Sequence, residues 1–252
     1  MLETLTDFTN LGTDEFLICS AAMLLAGLVR GFAGFALSAI LMASIVYILP
    51  PIELIPLCYF LEAAASISML RGGIKDAKMS MVWALAICSA IGVPIGLYAT
   101  ISIPTETSKI VALIIVMILT LAQLFKFSPK FLRTKSGLYG SGITAGIATG
   151  LASVGGMVVA LFVLSSKTDA RTMRASLVMF MFLGMFTSLV YMLLYGVMNY
   201  QAFHRAIVFI PMVLVGVFFG SFLFRPSLVI YYKQFCLFLL IALSFAGLAR
   251  LI

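Results

Sequence analysis

The chain has 252 residues, of which 63% are hydrophobic and 10% charged, and a mean hydropathy of +1.19. Those proportions exclude an ordinary soluble domain. The formal charge is +7, but ten of the sixteen cations fall in three short segments: Arg71, Lys75 and Lys78; Lys126, Lys130, Arg133 and Lys135; Lys167, Arg171 and Arg174. Such clustering marks cytoplasmic loops and argues against a nucleic-acid partner.

The first fifteen residues carry Glu3, Asp7, Asp14 and Glu15 and no Lys or Arg, the reverse of a signal peptide's basic start. The first apolar run is therefore expected to be retained. Apolar runs follow at 16–49, 52–70, 79–100, 108–125, 137–164, 175–195, 205–224 and 232–252. None alternates polar with apolar residues, so the chain reads as an all-α polytopic membrane protein and not a barrel. The four cysteines lie inside apolar runs without CxxC spacing and read as structural thiols.

The run 16–49 is too long for one span, since 34 helical residues extend ~51 Å against a hydrocarbon core of ~30 Å. An interruption is expected in AGLVRGFAGF, residues 26–35, where Gly27, Gly31 and Gly34 weaken helix and Arg30 breaks the apolar run. The run 137–164 carries a matching AGIATGLASV at 145–154. A shift of 119 pairs Ala26 with Ala145, Gly27 with Gly146, Gly31 with Gly150 and Ala33 with Ala152. A shift of 124 then pairs Gly92 with Gly216, Val93 with Val217, Gly96 with Gly220 and Lys109 with Lys233. The order of these matches predicts an internal duplication.

Charge decides how the broken runs cross. If each crossed once, the three basic segments could not share a side; if each enters and returns on one side, all three are cytoplasmic and the acidic N-terminus is external. Each half is then a broken hairpin, re-entrant or built of two short spans, followed by three transmembrane helices. The first half covers 1–125, a basic cytoplasmic linker 126–136, and the second half 137–252. An odd number of crossings per half makes the two halves inverted repeats, with a site expected near the midplane where the hairpin tips face each other.

At those tips, helix N-termini following the breaks would favour an anion. Arg30 adds a cation with a fork of donors, or else pairs permanently with an acid such as Glu62. The expected substrate-binding set is Arg30, Gly31, Gly34, Phe35, Ser38, Thr149, Ser153, Gly155 and Gly156. Glu62 stands mid-run, where burial and a neighbouring guanidinium act on its proton affinity in opposite senses; it reads equally as a proton relay or a static partner. Glu53 is expected at the interface, Lys109 and Lys233 as snorkelling residues, and His204 in a short external loop. No metal or cofactor is called for, and HExxH, GxSxG and GxxxxGK[ST] are all absent, which argues against an enzyme or an ATP-driven pump.

AGLVRGFAGF resembles the Gly-rich RGFxGFG segment of the TauE/SafE sulfite exporter family, and ATGLASVGGMVVALFVLSS, with its paired Gly155 and Gly156, resembles that family's second segment. Ala36 stands where the family often has glycine, and Met157 where it often has proline. The resemblance implies proton-driven export of sulfite or a small organosulfonate across a bacterial-type inner membrane. The expected partners are the lipid bilayer, the anion and protons; oligomeric state has no signal in the sequence. A passive anion channel on the same scaffold is the alternative.

Overall fold

The computed structural model describes residues 6, 8–127, 129–165, 169–224 and 229–251; Glu3, Asp7 and Lys167 lie outside them, as do the side chains of Arg133 and Lys233. Among the described residues the chain is helical with no strand. The elements are α1 (Thr13–Ala33), α2 (Leu37–Ile45), α3 (Pro51–Asp76), α4 (Met79–Ser102), α5 (Thr105–Leu124), a 3₁₀ turn (Lys130–Arg133), α6 (Lys135–Ala152), α7 (Gly155–Ser165), α8 (Ala170–Leu194), α9 (Tyr200–Leu223) and α10 (Val229–Leu251). Seven of these helices are long and apolar enough to cross a membrane. The chain is a multi-pass membrane protein.

Both long apolar runs are interrupted. In the first, α1 ends on Gly34, in the left-handed region at φ 80°, and α2 starts after Ala36 at φ 76°. In the second, Ser153 turns the chain at φ 55° between α6 and α7. The breaks fall at the C-terminal ends of the expected segments: Gly34 lies within 26–35, with Ala36 just beyond it, and Ser153 lies within 145–154. Gly27 and Gly31 do not interrupt α1, because a continuous hydrogen-bond ladder carries the helix through them. Their lack of a side chain serves packing instead. A Cβ at Gly27 would lie 2.3 Å from the Val213 carbonyl oxygen, and one at Gly31 2.2 Å from that of Val217; Gly216 and Gly220 of α9 press equally on Leu24 and Leu28. The same close crossing joins α4 and α6: Gly92 and Gly96 meet the Ile143 and Ile147 carbonyls, while Gly146 meets that of Ser89. Small residues four apart let membrane helices approach at backbone distance, where dispersion contacts and not hydrophobic transfer hold them together.

Several boundaries differ from expectation because helix caps sit outside the apolar runs. Arg71 and Lys75 belong to α3, and Arg171 and Arg174 to α8, not to loops. Asp169 starts α8 early by accepting hydrogen bonds from the Arg171 and Thr172 N–H groups, both at 3.0 Å. His204 lies in α9 and not in a loop; its ring packs against Phe8 and Tyr200, with centroids 4.6 and 5.6 Å away. Lys109 in the first turn of α5 is paired with Glu106 at 2.9 Å.

Candidate functional site

The α1–α2 break sets Arg30 and Ser38 against α3. Arg30 is wholly buried. Its Nη1 donates to the Gly34 carbonyl, Nη2 donates to Ser66 Oγ at 2.8 Å, and Nε stands 3.1 Å from Glu62 Oε2. The other carboxylate oxygen of Glu62 accepts from Ser38 Oγ at 3.0 Å and from the Ser38 backbone N–H at 3.4 Å. Ser38 is the second residue of α2, so Glu62 supplies negative charge at the N-terminus of that half-helix, where unpaired N–H groups attract it.

Next to this pair lies a cavity of about 50 Å³. One water needs roughly 10–15 Å³ by the same measure, so the space suits a few waters or one small oxyanion. Of the residues expected from sequence, Ser38, Glu62, Thr149 and Ser153 line it. Arg30, Gly31, Gly34, Phe35, Gly155 and Gly156 are not in its wall. Arg30 stands behind Glu62. Gly31 gives its carbonyl to Arg174 Nε at 3.1 Å. The two breaks do meet: a Cβ on Gly156 would be 3.6 Å from the Cβ of Phe35 and 3.0 Å from Met181 Sδ. Gly155 is pressed on α6, where a Cβ would fall 2.0 Å from Thr149 Oγ1.

The rest of the wall was not expected. Ser89 of α4 and Ser188 of α8 join Ser153, and Met181, Met185 and Met192 of α8 supply an apolar side. Ser89, Ser153 and Ser188 are 3%, 9% and 7% exposed, and none of the three hydroxyls makes a hydrogen bond to the described residues. The hydroxyls of Ser20, Ser44, Thr120 and Thr149, by contrast, donate to carbonyls one helical turn back. Residue type alone could not separate the free hydroxyls from the satisfied ones. The 181–185–188–192 spacing, one face of α8, was the available signal.

The same face of α8 continues past the cavity at both ends. Towards its N-terminus, Arg171, Arg174 and Val178, with Asp76 of α3, line a space of about 140 Å³. Towards its C-terminus, Tyr195 and Asn199, with Glu53 and Thr100, line one of about 380 Å³. An arginine ties neighbouring helices together near each end. Arg174 donates to the Gly31 carbonyl and to Ser221 Oγ and lies over the Phe224 ring, 4.8 Å from its centroid. Arg205, buried in α9, binds Glu53 at 2.7 Å and the Thr9 carbonyl at 2.9 Å. Glu53 is thus an edge residue, as expected, with a partner that was not.

No group of His, Cys, Asp and Glu among the described residues could hold a metal. No curated protein and no solved structure matches the chain. The sulfite exporter TauE/SafE family model matches residues 19–247, so the chain belongs to that family of membrane transporters.

Proposed function

We propose that the protein is a secondary transporter that exports a small sulfur-containing anion, sulfite or an organosulfonate, by alternating access through the cavity between the two breaks. The observation that carries this reading is the wall of that cavity: three buried hydroxyls without partners, beside a carboxylate whose charge is already matched. Free hydroxyls donate to oxyanion oxygens, and the methionine side accommodates an apolar arm on a sulfonate. Arg30 acts through Glu62 and not on the substrate directly. Glu62, at the cavity edge, is the candidate for proton coupling.

The inverted-repeat architecture belongs to the same proposal. It is supported by the pairing of α1 with α9 and of α6 with α4, since exchanging α1–α5 with α6–α10 turns one crossing into the other. The charge distribution supports the basic ends of α3 and α8 as the cytoplasmic side of an inner membrane, with the N-terminus external. Alternating access needs a closure at each end, and the Arg174 and Arg205 ties are suited to that work. Among the described residues the spaces along α8 are separate cavities, which favours a carrier over a passive channel.

The test is flux into proteoliposomes under an imposed pH gradient. A carrier accumulates labelled sulfite or sulfonate against its gradient and moves protons with it. Purely downhill flux without proton movement would replace this reading with the channel.

A further inference from the structure

The two half-helices that follow the breaks are unlike in one respect. The N-terminus of α2 holds the Glu62 carboxylate against Ser38. The residue 119 positions on from Glu62 is Met181, which occupies the corresponding place against α7, since a Cβ on Gly156 would touch its sulfur. No side chain among the described residues brings negative charge to the start of α7. The N–H groups of Gly155 and Gly156 have no partner there, as the first turn of a helix leaves them. Ser153, just before that turn, is 9% exposed, lines the cavity and has an unpartnered hydroxyl.

We infer that the N-terminus of α7 is the anion site, and that the bound substrate supplies in the second half the negative charge that Glu62 supplies in the first. This rests on the transporter reading and narrows it: of the two half-helix termini, one is filled by the protein itself and one is left for the ligand. The ligand class is a tetrahedral or pyramidal sulfur oxyanion small enough for the cavity. Its oxygens take the Ser153 hydroxyl, with Ser89 and Ser188 across the space, and the α7 terminus behind Ser153 contributes its positive potential without lining the cavity. The α7 terminus contributes roughly half a positive charge, so a single negative charge is the best match.

The test restores the missing carboxylate. Binding of methanesulfonate, which stays ionised, and of sulfite is measured on the full purified chain in detergent. M181E places a carboxylate beside Gly156 and is expected to abolish binding at neutral pH, by 100-fold or more; M181Q, the uncharged variant of the same shape, alters the same wall without adding charge and is expected to weaken binding at least tenfold less than M181E does. Lowering the pH neutralises the new carboxyl and restores methanesulfonate binding in M181E alone. S153A weakens binding about tenfold, the size of a lost hydrogen bond to a charged group, and decides the matter if M181E does not fold. Wild-type affinity in both M181E and S153A overturns this site and leaves the transporter reading standing. Failure of the wild type to bind or transport either anion overturns that reading, and this inference with it.

Discussion

Arg30 Nε and Glu62 Oε2 stand 3.1 Å apart, the guanidinium fully buried and the carboxylate at the edge of the cavity. The pair cancels charge where the dielectric is low and ties α1 to α3 across the first break. An uncompensated charge at that depth is strongly unfavourable, whereas a neutral pair of similar shape is not.

Removing either partner alone should therefore lower stability by about 3–5 kcal/mol. In R30Q and E62Q the remaining charge is left buried; in the double variant R30Q/E62Q most of the loss is expected to return. Thermal unfolding in detergent, read as a double-mutant cycle, measures this. Losses that simply add would show the two groups to be independent, contrary to their contact. In flux assays E62Q should lose pH dependence while the double variant still folds.

The glycine crossings give a sharper contrast. A Cβ at Gly31 or Gly96 would lie 2.2 or 2.1 Å from a backbone carbonyl oxygen, whereas one at Gly140, in α6, meets nothing within 4 Å. G31A and G96A should each push a helix pair apart, at a cost of about 1–3 kcal/mol. G140A should be neutral or stabilising by up to about 1 kcal/mol, because alanine is the better helix former. Equal effects at the three positions would refute the assignment of Gly31 and Gly96 to helix contact.

These glycines also show what the sequence could and could not reveal. The matches Gly27 with Gly146 and Gly92 with Gly216 were visible, and each matched position lies in a close crossing. Glycine, however, serves a turn and a tight helix contact equally well, and only a tertiary neighbour decides which. Hence Gly27, Gly31 and Gly34 all stood as candidates for the break within 26–35, and of the three only Gly34 turns the chain, together with Ala36 just beyond. Glu62 was recognisable because a carboxylate inside CYFLEAAASISML needs an explanation. Ser89 and Ser188 were not, because a membrane serine normally satisfies itself on its own helix and nothing local marks the exceptions. Arg174 and Arg205 stood near the ends of apolar runs, where cations usually signal topology; their inward ties depend on the neighbouring α1, α9 and α3.

Ala36 occupies a left-handed conformation at φ 76°, a region that costs an L-residue roughly 1–2 kcal/mol and glycine almost nothing. A36G should stabilise the protein by about 0.5–1 kcal/mol, since the loss of one buried methyl, worth about 0.8 kcal/mol, offsets part of the gain. A rise in unfolding temperature is the expected result. A clear fall would mean that the methyl packing at this buried position outweighs the backbone strain.

At the basic end, Asp169 caps α8 from an exposed position. Hydrogen bonds from Thr172, backbone first and then hydroxyl, and from the Arg171 N–H hold its carboxyl below the ordinary carboxylate range. A group whose value is lowered on folding stabilises the folded state above its unfolded value, and that contribution fades as pH falls through the folded value. D169A should lose the cap at neutral pH, by roughly 0.5–2 kcal/mol and towards the low end given full exposure to solvent. D169N keeps an oxygen acceptor that does not titrate, so it should match wild type at neutral pH and hold its stability better in acid. Unfolding curves from neutral pH downwards measure the difference between the two proteins. Parallel acid losses in wild type and D169N would remove the ionised cap from the account of why α8 begins at Ala170, five residues ahead of its apolar run.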